Sequence, residues 1–222
     1  MALLDKSDVF VDLCTQRDYL APDGARPCGN ATQIVPHLRR LMACARWEHI
    51  PLISCIDARR PDEVRGQPCP DCVTGTRGQQ KPSFTLMPRR GVIESDNSLA
   101  VALDVLQHVQ QAILVKRHRD PFTNPKLDRL LTEMPARRFV VFGLPIESSL
   151  RLLVLGLLLR GRKVALIDDA CGFWNQNEAE MALRQVLAKG CEAISTETYV
   201  QTALARRKAN MTGAAPTRRS VA

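Results

Sequence analysis

The sequence predicts an α/β fold in which helices flank a parallel sheet. Short apolar runs, such as FVVF at 139–142, alternate along the chain with segments of helical periodicity. The central segment, 139–171, has the pattern of strand, tight turn, apolar helix, short loop and strand. A continuous apolar run is typical of a parallel strand that is covered on both faces. The apolar helix at 146–160 is too short, and too interrupted by charged residues, to span a membrane.

The predicted elements follow one another from residue 8 to residue 196. Six strands are expected, at 8–13, 50–56, 112–115, 139–142, 163–168 and 191–196. Helices are expected at 34–49, 97–109, 124–133, 146–160 and 177–189. The stretch 58–90 is irregular and rich in proline and glycine. A loop of this length in a compact domain usually has a function or forms a lid.

Length and charge indicate one domain and a tail. The chain has 222 residues and a net charge of +8, of which +5 lies in the segment 205–222. We predict a domain at 1–204 and a basic, disordered tail at 205–222. Solvation of this tail is favoured over contact with nucleic acid or acidic lipid. The eight cysteines, without a signal peptide at the start of the chain, predict a reducing, cytoplasmic location.

Charged residues end three of the predicted strands. Asp12, Asp57 and Lys116 stand at their carboxyl ends. In a parallel sheet these ends share one edge, so the three charges are expected near one another and near the turn that opens the helix at 146–160. The alternative is that each charge simply caps a strand at the surface. Three charges at one edge favour a functional site.

An ordered set of segments carries a family resemblance. These are VFVDLCTQRDYLAPDG, ISCIDARRPDE, DCVTGTRGQQK, VKRHRDPFTNPKLDRLL and FGLPIESS followed by ALIDDA, and they span most of 8–197. In this order they resemble the isochorismatase-like (cysteine hydrolase) superfamily, which includes nicotinamidases, N-carbamoyl amidohydrolases and isochorismatases. The resemblance implies a three-layer α/β/α, Rossmann-like domain with a six-stranded parallel sheet, a small-molecule substrate or ligand, and a homo-oligomer.

The resemblance also implies a catalytic triad of Asp, Lys and Cys. The Asp position matches Asp12 and the Lys position matches Lys116. The Cys position, six residues after Gly143, is occupied by Ser149. A serine hydroxyl is a weaker acid than a thiol and needs a positioned general base. Asp12 next to a lysine is a poor base, and a lone histidine such as His118 is more often structural.

One branch of the superfamily requires no protein nucleophile. The isochorismatases that the chain resembles also lack the cysteine, and they cleave a vinyl ether by protonating the substrate. We therefore expect Asp12 to act as the general acid, Lys116 to orient it and the substrate, and Ser149 to shape the pocket. A pocket in which Asp12 and Lys116 meet would support this hydrolase, whereas side chains that lie apart, or a pocket filled by Leu144, Ile146 or Phe122, would contradict it. The alternative is an inactive member of the fold that binds a ligand or a protein.

The same comparison suggests substrate-binding residues and argues against a metal. Arg59 stands where metal-binding nicotinamidases have a histidine, so we expect no metal and no other cofactor. Arg59 and Arg60 are candidates to bind a substrate carboxylate, although a solvated loop explains them equally well. Leu144 and Pro145 form the turn before Ser149, and the family's cis peptide bond would join them.

Cysteines give two weaker signals. Cys14 lies two residues after Asp12 and is a candidate displaced nucleophile, but a buried structural role is favoured. Cys69 and Cys72 form one CxxC pair that could bind zinc with Cys28, but a structural zinc site usually needs four ligands. No nucleic-acid motif is present.

Overall fold

A seven-stranded sheet forms the centre of the computed structural model, which describes residues 8–96 and 98–212, without the side chains of 208–212. All strand pairs are parallel, in the order β3-β4-β2-β1-β5-β6-β7. The strands are β1 (Asp8–Leu13), β2 (Leu52–Asp57), β3 (Arg90–Ile93), β4 (Gln111–Lys116), β5 (Arg138–Gly143), β6 (Val164–Cys171) and β7 (Glu192–Ile194). Every residue of β1 and β4 is buried, because helices and loops cover both faces of the sheet.

Seven α-helices flank the sheet in the part of the chain that the structure describes. They are α1 (Arg17–Leu20), α2 (Ala31–Glu48), α3 (Val105–His108), α4 (Pro125–Glu133), α5 (Arg151–Leu159), α6 (Gln176–Ala188) and α7 (Thr196–Thr212). One π-helical turn, Ile146–Leu150, precedes α5 and is kinked at Ser148. No helix within the described ranges combines the length and the apolar character needed to cross a lipid bilayer.

The predicted strand number is wrong by one. β3 is a four-residue edge strand that pairs with β4, and its residues are exposed or half-buried. An edge strand of this kind lacks the apolar run that identifies a central strand. No sequence pattern therefore marks β3, which begins where the irregular stretch ends. The helix predicted at 97–109 is also wrong in extent, since α3 covers only Val105–His108. Asn97 itself lies outside the described residues.

The C-terminal helix extends into the predicted tail. α7 continues to Thr212, so residues 205–212 are helical, whereas disorder was expected from 205 onwards. Residues 213–222 lie outside the described part of the chain. The side chain that anchors α7, Tyr199, stands before 205, and its ring lies 5.2 Å from that of Phe10 in β1. Residues 205–222 lack apolar periodicity, so their sequence gives no sign of the helix.

The turn after β5 is fixed by close backbone packing. Gly143 has φ +112°, and a Cβ atom there would lie 2.2 Å from the backbone oxygen of Leu13. Only glycine therefore lets β5 approach β1 at this point. The Leu144–Pro145 peptide bond that follows is cis, as predicted. This turn places Ser149 at the carboxyl edge of the sheet.

A buried carboxylate at the opposite edge predicts a pH dependence of stability. Asp8 accepts hydrogen bonds from Arg137, Arg138 and Tyr199. Burial raises the pKa of Asp8, but the two guanidinium groups and the tyrosine hydroxyl outweigh it, so the pKa lies below its ordinary value. Asp8 then stabilises the fold above the unfolded-state pKa of about 3.9, and this contribution is lost as the pH falls through the lower, folded-state value.

We expect Asp8→Asn to lower the free energy of unfolding at pH 7 by about 1–3 kcal/mol. The difference in the free energy of unfolding between wild type and the variant should decrease as the pH falls below about 4, where the wild-type carboxyl becomes neutral too. Urea unfolding at a series of pH values measures both quantities. Asp23→Asn, at an exposed position, is the control. A difference that stays constant down to strongly acidic pH would contradict the role of Asp8.

Candidate active site

A cavity of about 680 Å³ opens at the carboxyl ends of β2, β4 and β5. Its lining includes Asp57, Arg59, Lys116, Pro145 and Ser149. They come from the ends of two neighbouring strands and from the turn before α5, so the edge predicted from the sequence does carry a pocket. Asp12 and Leu144 are fully buried and do not line it.

Lys116 lies at the bottom of this cavity. In the parallel pairing of β2 and β4 it stands directly opposite Asp57. Its Nζ donates a hydrogen bond to Asp57 Oδ1 at 2.5 Å and lies 3.5 Å from Ser149 Oγ, while its side chain is 3% exposed. Burial alone would lower the pKa of Lys116, but its interactions with Cys14 and Asp57, including the hydrogen bond to the Asp57 carboxylate, hold this pKa above its ordinary value. Lys116 is therefore a permanent cation at neutral pH.

Asp57 is a carboxylate whose acceptor positions are largely occupied. Besides Lys116, it accepts hydrogen bonds at Oδ2 from the Tyr19 hydroxyl at 2.9 Å and from Cys14 Sγ at 3.3 Å. Three donors on one carboxylate fix its orientation. Asp57, and not the predicted Asp12, is therefore the aspartate that pairs with Lys116 and orients its ammonium group.

Asp12 belongs to a separate buried ion pair. Its Oδ2 accepts hydrogen bonds from Lys81 Nζ and Thr15 Oγ1, both at 2.5 Å, and it is fully buried. Lys81 comes from the irregular stretch 58–90, and its side chain is 2% exposed. The structure thus contains two ion pairs, Asp12–Lys81 and Asp57–Lys116. The expected direct pairing of Asp12 with Lys116 is not found.

Ser149 has a cation beside it but no base. Within residues 8–96 and 98–212, no carboxylate or imidazole accepts a hydrogen bond from its hydroxyl group. The charged group that contacts the Ser149 hydroxyl is the ammonium group of Lys116, at 3.5 Å. His118 lines the cavity at an exposed position, where its backbone oxygen accepts from Lys116. This arrangement does not activate Ser149 as a nucleophile in the way that a serine–histidine pair does.

The cysteines have structural surroundings. Cys14 is fully buried, and burial together with the charge of Asp57 raises its thiol pKa well above the ordinary value, despite the opposing effect of Lys116. Its thiol therefore stays protonated, in line with the buried role that the sequence favours. Cys69 is exposed, whereas Cys28 and Cys72 are buried. No cluster of three or more potential metal ligands occurs among the residues that the structure describes.

Several lining residues were not predicted. Trp174 lies 5.3 Å from the ring of Tyr19 and carries the guanidinium of Arg26 over its own ring, at 4.1 Å. Its backbone N–H donates to Glu147 Oε1 at 2.8 Å. The sequence suggested no role in the site for Arg151, which counted only among the charged residues that interrupt the apolar helix at 146–160. No local motif marks these positions, because the fold brings them together from the loop after β1, the π turn and the loop after β6.

The comparisons with known proteins decide the family. The Isochorismatase domain family matches residues 8–198. The chain belongs to the isochorismatase family. No curated protein sequence matches it.

Several solved structures share the fold at low sequence identity. An isochorismatase family protein from Desulfovibrio vulgaris is 20% identical with a TM-score of 0.69, covering 91% of this chain and 98% of its own. A nicotinamidase/pyrazinamidase from Bacillus subtilis is 17% identical with a TM-score of 0.68, and the match covers 85% of this chain and 100% of the Bacillus chain. A pyrazinamidase from Pyrococcus horikoshii, solved in complex with zinc, is 19% identical with a TM-score of 0.66, covering 85% and 99%.

The residues of this family member do not fit a zinc ion beside Asp57. The Asp57 carboxylate already accepts from an ammonium group, a hydroxyl and a thiol. Arg59, two residues further on, is a cation that pairs with Asp71 at 2.5 Å. Zinc prefers several neutral imidazoles, thiolates or carboxylates around it, and two fixed cations oppose a third. Arg59 and Lys116 already supply positive charge beside Asp57.

Proposed function

We propose that the protein is a small-molecule hydrolase of the isochorismatase family that works without a cysteine nucleophile and depends on Lys116. The observation that carries the proposal is the approach of Lys116 Nζ to Ser149 Oγ, 3.5 Å, at the bottom of a cavity at the carboxyl edge of the sheet. Both groups can donate hydrogen bonds to one substrate oxygen. Asp57 orients Lys116 through a hydrogen bond at its Oδ1, and Asp12 supports the stretch 58–90 through Lys81.

The mechanism that fits these groups is electrostatic. Preorganised donors stabilise negative charge that develops on a substrate oxygen when water attacks or when a bond to that oxygen breaks. Lys116 stays charged and Ser149 stays protonated, so neither group needs to gain or lose a proton. The role of general acid that the sequence suggested for Asp12 is replaced here by charge stabilisation at Lys116.

A second candidate function is ligand binding without turnover. It is favoured by the absence of a base on Ser149 among the described residues and by the three donors that occupy Asp57. In this case the cavity and its cation persist, while the reaction of the family is lost. The two candidates differ in one observable, which is turnover of a bound compound.

A panel of amides, N-carbamoyl compounds and isochorismate tests the hydrolase. We expect wild type to turn over a member of the panel and Lys116→Met to lose about 10²–10³-fold in kcat/KM, because an oxyanion-stabilising donor is removed. Lys163→Met, at an exposed position, is the matched control and should keep wild-type activity. Turnover that survives Lys116→Met would contradict the proposal. Wild-type silence accompanied by ligand binding would favour the second candidate.

A further inference from the structure

The cavity carries an excess of positive charge. Six cationic side chains line it, from Arg26, Arg59, Lys116, Arg117, Arg119 and Arg151. Three carboxylates line it, from Asp57, Glu147 and Glu178. The surplus is three positive charges in one cleft, which raises the local concentration of anions and disfavours cations.

The surplus is not spread evenly. At the bottom, Lys116 and Asp57 balance each other. Arg26 and Arg59 share the carboxylate of Asp71 at 3.7 and 2.5 Å. Part of the positive charge there is thus already neutralised by the protein itself.

The other three arginines of the lining differ from this pair. Arg117, Arg119 and Arg151 have no carboxylate within ion-pair distance anywhere in the described ranges. Arg117 donates to the backbone oxygen of Ala58 at 3.0 Å, and Arg151 to Gln185 Oε1 at 3.2 Å, which leaves further N–H groups on both. The Arg151 Nε is buried and has no hydrogen-bond partner among the described atoms. An unpaired buried donor is unfavourable unless a ligand satisfies it.

We propose that the ligand of this cavity is a small molecule of net charge about −2, either a phosphomonoester or a dicarboxylate. Its anionic group binds Arg117, Arg119 and Arg151, and its uncharged part extends towards Lys116 and Ser149. Guanidinium groups match both anions with paired N–H donors, whereas a neutral amide leaves the three arginines without compensation. A cavity of about 680 Å³ is large enough for one such molecule. The inference rests on the proposed function, because it assigns the substrate class of the same site.

Calorimetric titration of the full chain tests the inference. The probes are phenyl phosphate and phthalate as dianions, and benzamide as the neutral analogue. We expect at least one of the dianions to bind. Benzamide should bind at least about tenfold more weakly, as the loss of one charge-assisted contact predicts. Tighter binding of phenyl phosphate identifies a phosphomonoester site, and tighter binding of phthalate identifies a dicarboxylate site.

Variants locate the binding site. Arg117→Gln/Arg119→Gln should weaken dianion binding by about tenfold or more. Arg119→Gln alone, which removes no intramolecular contact shown in the structure, guards against a folding defect and should weaken binding in the same direction. Arg184→Gln/Lys189→Gln removes the same charge from exposed positions outside the cavity and should leave affinity within about twofold.

The inference is overturned if no dianion binds, if benzamide binds as well as the dianions, or if the control pair weakens binding as much as the cavity pair. The hydrolase proposal fails separately. If dianions bind in a way that depends on the arginines but no compound is turned over, the dianion site is supported and the hydrolase proposal is contradicted. If neutral amides are turned over and the arginine variants do not change the rate, the hydrolase proposal is supported and the dianion site is contradicted.

Discussion

Lys81→Met is expected to lower the free energy of unfolding by about 3–5 kcal/mol, since it leaves a buried carboxylate without its counter-ion. Asp12 is fully buried, and the Lys81 side chain is 2% exposed. The Oδ1 atom of Asp12 already has no hydrogen-bond partner among the described residues. After the substitution only the Thr15 hydroxyl would remain to stabilise the charge. Urea unfolding followed by circular dichroism measures the effect.

A double variant separates the ion pair from the packing of the lysine chain. Asp12→Asn/Lys81→Met removes both charges and should recover at least about 1 kcal/mol of the loss, because a neutral amide is less unfavourable to bury than a charge. Lys163→Met provides the exposed control and should be close to wild type. If Lys81→Met resembles this control, the pair does not hold the stretch 58–90 against β1.

Ser149→Cys is expected to produce a reactive thiol. The Lys116 ammonium lies 3.5 Å from the present hydroxyl, and a nearby cation stabilises a thiolate. At neutral pH we expect iodoacetamide to alkylate the introduced thiol about tenfold faster than it alkylates the exposed Cys69. Cys14, buried and with a raised pKa, should remain unmodified in the folded protein. Peptide mapping by mass spectrometry follows each site separately.

The double variant Lys116→Met/Ser149→Cys is the control for this reactivity. It keeps the thiol in the cavity and removes the cation, so the rate of alkylation should fall by about tenfold. Equal rates in the single and double variants would show that Lys116 does not act on position 149. If Ser149→Cys also hydrolyses a compound on which wild type is silent, the site is intact and lacks only a nucleophile.

The parts of the fold that follow from local pattern were predictable. β1 was predicted with its observed bounds, and β5 to within one residue at each end, because a central strand needs an uninterrupted apolar run. The edge strand β3 and the helix α7 depend on contacts with distant segments, and their own sequences carry little periodicity. Tertiary context decides such elements.

The candidate site shows the same limit. The edge that carries it, and the presence there of Lys116, Asp57 and Ser149, followed from strand ends and from the family resemblance. The partners did not follow. Lys81 is separated from Asp12 by 69 residues and reaches it only because the stretch 58–90 folds back over the sheet. A proline-rich and glycine-rich sequence does not reveal which of its lysines is buried, so the pairing required the structure.

The contact between α7 and β1 bears on synthesis of the protein on the ribosome. β1 is the first strand of the described chain and pairs with β2 and β5 in the middle of the sheet. Its Asp8 and Phe10 are covered by Tyr199, and 191 residues separate the hydroxyl donor from the Asp8 carboxylate. Contacts of such long range form late. One flank of β1 therefore stays uncovered until Tyr199 has left the exit tunnel, and the nascent chain exposes that surface to chaperones until then.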